Sequence, residues 1–471
     1  MRVTTTGPLP GGLHDITVVG AGVVGSAIAR ELARHRLRTA LIDASDDVGN
    51  GTSKANTAIL HTGFDAVPGT LESRLVREGQ RMLSAYAAET GIPVEPLGAL
   101  LVAWNREQLD ALPALAAKAV RNDYHRARII GADEVYRREP GLGPGALGAL
   151  DVPGESIVCP WTTTLAYATQ AVRGGVGLHL NCRVEAVTDT GGHHELTTGR
   201  GPLRTRWLIN AAGLHADDID RLIGRRDFTV TPRRGQLIVF DKLARDLVRH
   251  ILLPVPTALG KGVLVSPTVY GNVMLGPTAE DLGDKRATDS TAEGLAGLLR
   301  EGKRIVPRLP DEEITAVYAG LRAATGQEDY RIRAHPGQRC LTVGGIRSTG
   351  LTASMAIAAH VLELLRESGF DPGPAHPWEP VRMPNLGEAF PRPYQRPELI
   401  ARDPEYGTLV CHCERVSRGE IRDALAATIP PRSVDGLRRR TRARAGRCQG
   451  FYCGPAVDEL LAAGPPGEPG G

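Results

Sequence analysis

A glycine-rich turn near the N-terminus most constrains how this chain can fold. Residues 15–19 are apolar enough to form a short buried strand, and the motif GAGVVG follows directly at residues 20–25. Residues 26–36 have helical spacing of apolar side chains, and a second predicted strand at residues 39–42 ends in Asp43. The order strand, helix, strand predicts a parallel sheet.

The glycines of this motif have the placement that a dinucleotide-binding turn needs. Gly20, Gly22 and Gly25 would let a diphosphate approach backbone N–H groups and the N-terminus of the helix. Asp43 lies 21 residues beyond Gly22, where a carboxylate accepts hydrogen bonds from a ribose. The alternative is a glycine-rich turn without a ligand. Because strand, helix and acid occur in order, we predict a dinucleotide site, and these residues alone fit FAD or NAD.

Composition and charge argue against several classes of function. The chain has 471 residues, enough for about two to four domains. Its net charge of +3 gives no strong field that would attract nucleic acid. The N-terminal segment lacks the apolar stretch of a signal peptide, and no long uncharged apolar run could span a bilayer. We therefore expect a cytoplasmic protein that binds no nucleic acid and has at most peripheral contact with a membrane.

The cysteines fall into two groups. Three are scattered and are typical of small buried side chains, namely Cys159, Cys182 and Cys340. Four cluster near the C-terminus, namely Cys411, Cys413, Cys448 and Cys453. In a reducing compartment such a cluster binds metal rather than forming disulfides. An extended chain would point the first two sulfurs the same way, so each sequential pair could hold one iron. A structural zinc site is the alternative, although C-x-C spacing suits zinc poorly.

Two further segments resemble motifs of flavoproteins. NAAG at residues 210–213 follows a predicted buried strand and resembles the second motif of such proteins. GGIRSTGLT at residues 344–352 resembles the third, in which a loop and a helix N-terminus close over the flavin. Motifs this far apart imply that a substrate domain is inserted into the FAD domain.

Four segments together resemble the FAD-dependent glycerol-3-phosphate dehydrogenase branch of the D-amino-acid-oxidase-like (DAO) flavoproteins, which has L-2-hydroxyglutarate dehydrogenases as close relatives. They are GTSKANTAILHTGFDA (51–66), RRGQLIVFD (233–241), KGVLVSPTVYGNVMLGPT (261–278) and GGIRSTGLTAS (344–354). The C-terminal segments CHCERVSRGEIRDAL (411–425) and RRRTRARAGRCQGFYC (438–453) resemble the bacterioferritin-associated-ferredoxin-like (BFD-like) module, which is fused to the anaerobic type of that dehydrogenase. The resemblance implies that the four clustered cysteines bind a 2Fe–2S cluster.

The resemblance implies an α/β fold with α+β parts. We expect a Rossmann-like FAD-binding domain with an inserted antiparallel-sheet substrate domain, followed by a small helical Cys-cluster domain. The expected boundaries within the oxidoreductase part, residues 1–368, are about 13–75, 150–225 and 325–368 for FAD binding and about 76–149 and 226–324 for the substrate domain. A Pro-rich connector (369–406), a 2Fe–2S-binding BFD-like domain (407–462) and a disordered tail (463–471) follow.

Local patterns add predictions for single elements. Helical patterns cover residues 71–90 and 106–122, and alternating apolar and polar residues predict strands within 228–241 and 262–276. Gly271-Asn272 suits a two-residue hairpin turn between two of these strands.

The resemblance also assigns candidate catalytic residues. His61 is the candidate base, and the alternative is a loop histidine whose hydrogen bonds are made to the backbone. Arg322 matches an arginine that grips a phosphate or carboxylate, and Lys261 resembles a lysine that reaches the active site. Arg347 would add positive charge near the substrate or flavin.

The implied cofactor contacts extend beyond the first motif. They are Thr52, Ser53, Asn56, Ala212, Gly213, Gly345, Ile346, Leu351 and Thr352. One departure from the family pattern bears on the substrate more than on the cofactor. Family loops often read SPGLTASP, whereas Thr349 and Met355 stand here in place of the two prolines.

The expected reaction is the oxidation of a small anionic 2-hydroxy substrate by FAD. By resemblance this is sn-glycerol 3-phosphate, with dihydroxyacetone phosphate as product and a 2Fe–2S cluster passing electrons to a redox partner protein or quinone-linked subunit. L-2-hydroxyglutarate or another hydroxy or amino acid is the alternative substrate, because Arg322 would bind a carboxylate as readily as a phosphate. An alternative of another class makes the C-terminal module a docking or iron-sensing element without electron transfer.

A run of arginines precedes the last two cysteines. Its members are Arg438, Arg439, Arg440, Arg442, Arg444 and Arg447. Nucleic-acid binding is one interpretation, but charge runs are usually solvated. We expect these side chains to offset the negative charge of a thiolate-bound cluster or to dock an acidic redox partner.

Overall fold

The structure is a computed structural model that describes residues 3–256 and 262–464. Its strands, in chain order, are β1 (Val3–Thr4), β2 (Leu13–Val19), β3 (Thr39–Ile42), β4 (Ile59–Leu60), β5 (Val94–Glu95), β6 (Ala99–Ala103), β7 (Arg128–Gly131), β8 (Gly148–Val152), β9 (Ser156–Val158), β10 (Gly177–His179), β11 (Val184–Asp189), β12 (His194–Thr198), β13 (Gly201–Asn210), β14 (Thr231–Phe240), β15 (Ile251–Pro254), β16 (Leu264–Pro267), β17 (Val273–Gly276), β18 (Glu280–Asp281), β19 (Ile314–Ala324), β20 (Arg331–His335), β21 (Cys340–Gly344), β22 (Leu409–Cys411) and β23 (Val416–Ser417). Its helices are α1 (Val23–Leu32), α2 (Leu71–Thr90), α3 (Arg106–Arg121), α4 (Ala132–Arg138), α5 (Pro160–Arg173), α6 (Ala216–Leu222), α7 (Ala292–Ile305), α8 (Gly350–Glu367), α9 (Pro397–Arg402), α10 (Arg418–Leu425), α11 (Val434–Thr441) and α12 (Gly454–Ala463).

The first sheet has the parallel core of a dinucleotide-binding domain. Strands β10, β3, β2 and β13 lie side by side in this order and run parallel, and β21 extends the parallel set beyond β13. All four residues of β3 are buried, as expected of a strand covered on both faces. Helix α1 packs between α5 and α8. The predicted α/β fold is confirmed, and α1 begins at Val23 inside the glycine motif rather than after it.

The second sheet is formed by two separate stretches of chain. Its order is β18, β14, β17, β16, β15, β6, β8 and β7, with β19 also on β14. Among the described strands of this sheet, β15 and β6 are the only parallel pair. In chain order, strands β6 to β8 lie between α2 and β9, and strands β14 to β19 lie between α6 and β20. Both stretches of this sheet are therefore inserted into the nucleotide-binding part. The predicted boundary at residue 76 cuts through α2, and α2 packs on α8 of the nucleotide-binding part.

The connection between β16 and β17 is wider than the predicted two-residue turn. It runs from Thr268 to Asn272 and is closed by a hydrogen bond from the Thr268 N–H to the Asn272 carbonyl oxygen (2.9 Å). Gly271 takes the positive φ of 81° that the turn requires. The connection is longer than a two-residue turn because Val269 and Tyr270 turn into the protein and are buried, whereas the residues at the tip of a tight hairpin are exposed.

The segment after α8 follows the surface of the nucleotide-binding part before it reaches the cysteines. Backbone hydrogen bonds attach it at His376 to Arg34, at Met383 to Thr90 and at Glu388 to Val269. Beyond it, the β22–β23 hairpin and helices α10 to α12 enclose a small apolar core of their own. The predicted tail falls mostly on residues 465–471, which lie outside the described residues. Among the described helices, none combines the length and apolar character needed to cross a bilayer.

Gly79 shows how closely the helices of the core approach. A side chain at this position of α2 would overlap the carbonyl oxygen of Thr352 in α8, whereas Gly297 in α7 has only the tip of Arg300 nearby. We expect Gly79→Ala to destabilise the protein by about 1–3 kcal/mol, because the backbone of α8 has to shift. The matched control Gly297→Ala should stabilise it by about 0.5–1 kcal/mol through helix propensity. Thermal unfolding midpoints measure both, and equal shifts would contradict the packing argument.

Candidate functional site

The glycine motif is in direct contact with the second predicted motif. Gly20 has a φ of 106°, and a side chain there would overlap the carbonyl oxygen of Ala211. A side chain at Gly25 would overlap the carbonyl oxygen of Gly20. Gly22 is the N-cap of α1, so the first N–H groups of the helix open toward this turn. The turn therefore has the glycine backbone and the helix N-terminus without a side-chain cap from Gly22 that a diphosphate site needs.

The loop from Asp43 to Ser53 closes over this turn. Asp43 accepts hydrogen bonds from the backbone N–H groups of Ala21 (2.6 Å) and Ser45 (2.8 Å). Removal from water raises the pKa of Asp43 in spite of these bonds. The Ser53 hydroxyl accepts from the N–H of Val23 in the first turn of α1 (2.9 Å). Both side chains thus lie at the predicted dinucleotide site, and their contacts with ribose and diphosphate stay predictions.

The remaining predicted cofactor residues lie on three loops that meet at the same edge of the nucleotide-binding sheet. Thr52 donates its hydroxyl hydrogen bond to the Leu321 carbonyl oxygen of β19 (2.8 Å), which joins this loop to the substrate sheet. The Asn56 side chain accepts from the N–H of Ala58 (2.7 Å). Ala212 and Gly213 follow the contact with Gly20, and Gly213 has a φ of 58° with open space where a side chain would point.

The third motif is fixed by a polar cluster around Glu72 at the start of α2. Glu72 accepts hydrogen bonds from Arg347 (2.6 Å) and from the Thr349 hydroxyl (2.6 Å). Gly345 takes a φ of 66°, while Ile346 is partly buried and Leu351 is fully buried. Arg347 therefore lies in an ion pair with Glu72, and its predicted action on a substrate or flavin stays a prediction.

His61 is held by a buried carboxylate that sequence reasoning missed. Strands β4 and β9 pair Leu60 with Ser156, so His61 and Glu155 are opposite each other in the same register. His61 Nδ1 lies 3.0 Å from Glu155 Oε2, and Thr62 donates two hydrogen bonds to Oε1 (2.7 and 2.8 Å). In the tautomer that donates from Nδ1 to Glu155, the lone pair of the neutral ring is on Nε2. This orientation suits a base.

His61 is also attached to the third motif. Its backbone N–H donates to the hydroxyl of Thr352 in α8 (3.1 Å), and Thr352 in turn contacts the Ile59 carbonyl oxygen. The candidate base therefore lies beside the helix N-terminus that flavoproteins of this pattern place over the flavin. Its assignment as base stays a prediction.

Arg322 points its guanidinium at uncharged partners. It donates to the carbonyl oxygen of Thr278 (2.9 Å) and to those of Arg233 and Arg234 (3.5 Å each). Burial and the charge of Arg233 lower its pKa. Because these carbonyl partners carry no net charge, they do not neutralise the guanidinium, and its positive charge can attract an anionic ligand. Lys261 lies outside the described residues.

The four clustered cysteines come together as two neighbouring pairs. The thiol of Cys411 lies within hydrogen-bonding contact of Cys453, and that of Cys413 lies within contact of Cys448. These thiol contacts cross between the two sequence pairs, because a turn begins at His412 and the chain is not extended at Cys413. Which two cysteines share an iron stays a prediction. Across the described ranges, no three His, Cys, Asp or Glu side chains converge as a single-ion site would need. Two pairs of thiols suit the two irons of a 2Fe–2S cluster.

Backbone N–H groups point at these sulfurs. Cys448 accepts from the N–H groups of Tyr452, Gly450 and Phe451, and these bonds lower the pKa of its thiol. Burial raises the pKa of Cys411 to about 11, although N–H groups of Glu414 and Arg444 oppose this shift. Hydrogen bonds of this kind stabilise thiolates and tune iron–sulfur clusters. The donor set therefore fits the predicted cluster.

Glycine residues leave the space that the cysteine loops require. A side chain at Gly446 would overlap Cβ of Cys413, and one at Gly450, which has a φ of 90°, would lie 2.7 Å from Nε of Arg444. His412 is exposed, whereas the neighbouring Cys411 is buried.

A largely buried aromatic and ionic column joins the cysteine module (residues 409–463) to the predicted FAD loop (residues 43–56, which follow β3). The Trp161 indole donates to the Lys54 carbonyl oxygen (3.0 Å) and stacks on Tyr270 with ring centroids 5.0 Å apart. Arg442 lies over the Tyr270 ring at 4.3 Å and donates to Glu414 (3.0 Å), which directly follows the first two clustered cysteines. Burial would raise the pKa of Glu414, but Arg442 and Lys242 lower it.

All six arginines of the run are ion-paired within the chain, and three of them, Arg439, Arg440 and Arg442, are buried. Arg439 and Arg440 bind Asp47, and Arg447 binds Asp241, so these three reach across to the oxidoreductase part. Within the module, Arg438 pairs with Asp435, Arg442 with Glu414 and Arg444 with Asp458. The expectation of a solvated run was wrong for its buried members, because the carboxylates that pair with them lie far away in sequence.

Comparisons with known proteins support the same division. Residues 15–364 match the family described as FAD dependent oxidoreductase, and residues 409–463 match the BFD-like [2Fe-2S] binding domain. A glycerol 3-phosphate dehydrogenase from Caloramator mitchellensis is 36% identical over 453 residues, which cover 96% of this chain and 94% of the relative. One component of the anaerobic glycerol-3-phosphate dehydrogenase of Escherichia coli (strain K12) is 25% identical over 488 residues, which cover 95% of this chain and 88% of the relative.

A solved structure shows the same fold with its cofactor. The dithionite-reduced L-alpha-glycerophosphate oxidase from Mycoplasma pneumoniae, with FAD bound, has a TM-score of 0.72 to this chain at 29% identity. The similarity covers 80% of this chain and 98% of that one. With the two domain matches, it confirms FAD and a 2Fe–2S cluster as the cofactors and an oxidoreductase as the class of enzyme.

The cysteine assignment gives a direct test. We expect Cys453→Ser to lose the cluster, because a 2Fe–2S cluster needs four thiolates, so iron should fall from about two per chain toward zero. The control Cys340→Ser changes an equally buried thiol in β21 and should keep both iron and acid-labile sulfide. Both variants should keep FAD. A Cys453→Ser protein with full iron content would contradict the assignment.

Proposed function

Because this chain belongs to the FAD-dependent oxidoreductase family and carries a BFD-like 2Fe–2S domain, we propose that it oxidises sn-glycerol 3-phosphate to dihydroxyacetone phosphate. The electrons then pass through the cluster to a quinone-linked acceptor. The observation that carries the proposal is similarity along almost the entire chain to a glycerol 3-phosphate dehydrogenase, together with the His61–Glu155 pair beside the third motif.

His61 takes the proton of the substrate's secondary hydroxyl in this proposal. Glu155 fixes the ring through Nδ1, so Nε2 receives the proton, and the charged ring that results is stabilised by the adjacent carboxylate. Glu155 is fully buried and bonded by Thr62, so it cannot turn away from the ring. When bound, FAD supplies the hydride acceptor and the 2Fe–2S cluster supplies a carrier of single electrons.

Arg322 binds the anionic end of the substrate in this proposal. Its carbonyl partners hold the guanidinium on the face of β19 that also carries Tyr318 and Gly320. A side chain at Gly320 would lie 2.7 Å from the Ala55 carbonyl oxygen, so this face packs directly on the FAD-loop residues. A phosphate or carboxylate bound there can form two parallel hydrogen bonds with the guanidinium.

The relay part of the proposal draws support from the docking of the cysteine module. Arg442, Glu414 and Tyr270 are buried together, so the module packs directly on the oxidoreductase part at these side chains. A module that is packed at a fixed position against the oxidoreductase part is better suited to electron transfer than a module joined only by a flexible linker. A module that acts only in docking or iron sensing would not need the buried contacts that connect Arg442 through Tyr270 and Trp161 to Lys54.

The base can be tested by an isosteric change. We expect His61→Asn to lower kcat by roughly 10²–10⁴-fold, because general-base catalysis is lost. FAD content should not change. His125→Asn alters an exposed histidine that pairs with Asp123 and should keep wild-type kcat. Steady-state dye reduction measures both, and a His61→Asn protein with near-normal kcat would exclude His61 as the base.

The substrate and the relay can be separated in one anaerobic rapid-mixing experiment. Glycerol 3-phosphate should bleach the flavin absorbance first and the cluster absorbance second, whereas L-2-hydroxyglutarate should do so far more slowly. Flavin bleaching without cluster reduction would exclude the relay, and faster bleaching by L-2-hydroxyglutarate would exclude glycerol 3-phosphate as the preferred substrate.

Arg322→Lys should raise KM for glycerol 3-phosphate by roughly 10–100-fold, since a charged hydrogen bond is worth about 1.5–3 kcal/mol. Arg233→Lys, on the neighbouring strand and paired with Asp281, is the matched control.

A further inference from the structure

The loop from Asp43 to Ser53 has two contact faces. On its inner face, the N–H of Gly49 donates to the Ala21 carbonyl oxygen (2.9 Å) within the glycine motif. Asp43 and Ser53 bind backbone N–H groups of the same motif, as described above. The position of this loop therefore decides the shape of the FAD site at the N-terminus of α1.

On its outer face, the loop is bound by helix α11 of the cysteine module. Arg440 donates to both oxygens of Asp47 (2.7 and 2.8 Å), and Arg439 donates to Asp47 Oδ2 (2.7 Å). A side chain at Gly436 would lie 3.1 Å from Asp47 Oδ2, so the backbone of α11 is also close to this carboxylate. Lys54 adds an ion pair with Asp435 of α11 (3.3 Å).

These contacts are buried, which makes them costly to break. Asp47 is 2% exposed, Arg439 6% and Arg440 5%. Burial alone would raise the pKa of Asp47, but Arg440 and Arg439 lower it below its usual value, so the carboxylate stays ionised. Removing one partner of a buried ion pair leaves the other charge buried without compensation, which strongly destabilises the contact.

A cavity lies between this loop, helix α5 and helix α11. Its lining includes Gly49, Ser53, Lys54, Trp161, Arg439 and Arg440. Residues of the FAD loop and of the cysteine module thus line the same space.

We propose that the cysteine module holds the loop from Asp43 to Ser53 in place from its outer face, so that the contacts of Asp47 with Arg439 and Arg440 link the retention of FAD to the docking of the module. The link works through the loop from Asp43 to Ser53, which cannot move away from α1 while α11 holds its outer face. It does not depend on the identity of the substrate or on electron transfer.

A link of this kind is reciprocal. If docking of the module strengthens FAD binding by a given factor, FAD strengthens docking by the same factor. Typical coupling energies correspond to roughly 5–150-fold in affinity. FAD should therefore protect α11 in the wild-type protein, and weakened docking should loosen FAD.

The first test uses neighbouring arginines of one helix in the full-length protein. Arg439→Gln removes a buried charge that binds Asp47, whereas Arg438→Gln removes an equal charge on the exposed side. We expect Arg439→Gln and Asp47→Asn to raise the FAD dissociation constant roughly tenfold or more, with little change for Arg438→Gln. Equilibrium ultrafiltration with flavin fluorescence measures the constant, and iron content reports whether the cysteine module still folds.

A second measurement uses the wild-type chain and so does not depend on the folding of variants. Hydrogen exchange of residues 434–441 is compared in FAD-loaded protein and in protein stripped of FAD, with the cluster kept in both. Slower exchange with FAD is the expected result. Equal exchange in both forms, or variants that bind FAD as tightly as the wild type while α11 becomes accessible to protease, would overturn the proposal. Neither outcome would bear on glycerol 3-phosphate as substrate.

Discussion

The close approach of Gly20 and Gly25 to the turn at Ala211 is the constraint on which the rest of the structure depends. Two strands that are nearly two hundred residues apart in sequence end side by side, and their connecting turns touch through backbone atoms. This contact places Gly22, which has no side chain to cap the helix, at the N-terminus of α1. The third motif and the loop after Asp43 are then arranged around the same helix end.

Much of this arrangement could be predicted because its signals are local. Glycines at fixed spacing, an acid at a strand end and clustered cysteines each lie within a few tens of residues, and the helix at 71–90 was predicted at its observed bounds. Glu155, Asp47 and Tyr270 could not be found in this way. Each acts through a partner far away in sequence, and no periodic pattern marks the pairing. The register of two very short strands brings Glu155 to His61, and short strands give the weakest sequence signal.

The arginine run shows how a charge pattern can be misinterpreted when the partners are unknown. Six arginines in ten residues suggest a solvated surface, yet the run lies at a junction where acids from three other segments converge. The junction is polar and ionic where it meets the FAD loop and aromatic where it meets Trp161 and Tyr270. Contacts between domains are often of this mixed kind, and here the ionic part is buried to an extent that surface ion pairs are not.

The connector after α8 has a consequence for the lifetime of the docked module. Its last backbone hydrogen bond to the oxidoreductase part is at Glu388, and only a short stretch separates this point from β22. A module released from its partners would therefore remain at an effective concentration on the order of millimolar. Re-association would be intramolecular and independent of dilution. The two halves would separate only as brief local openings, with the joined form dominant at any concentration of the protein.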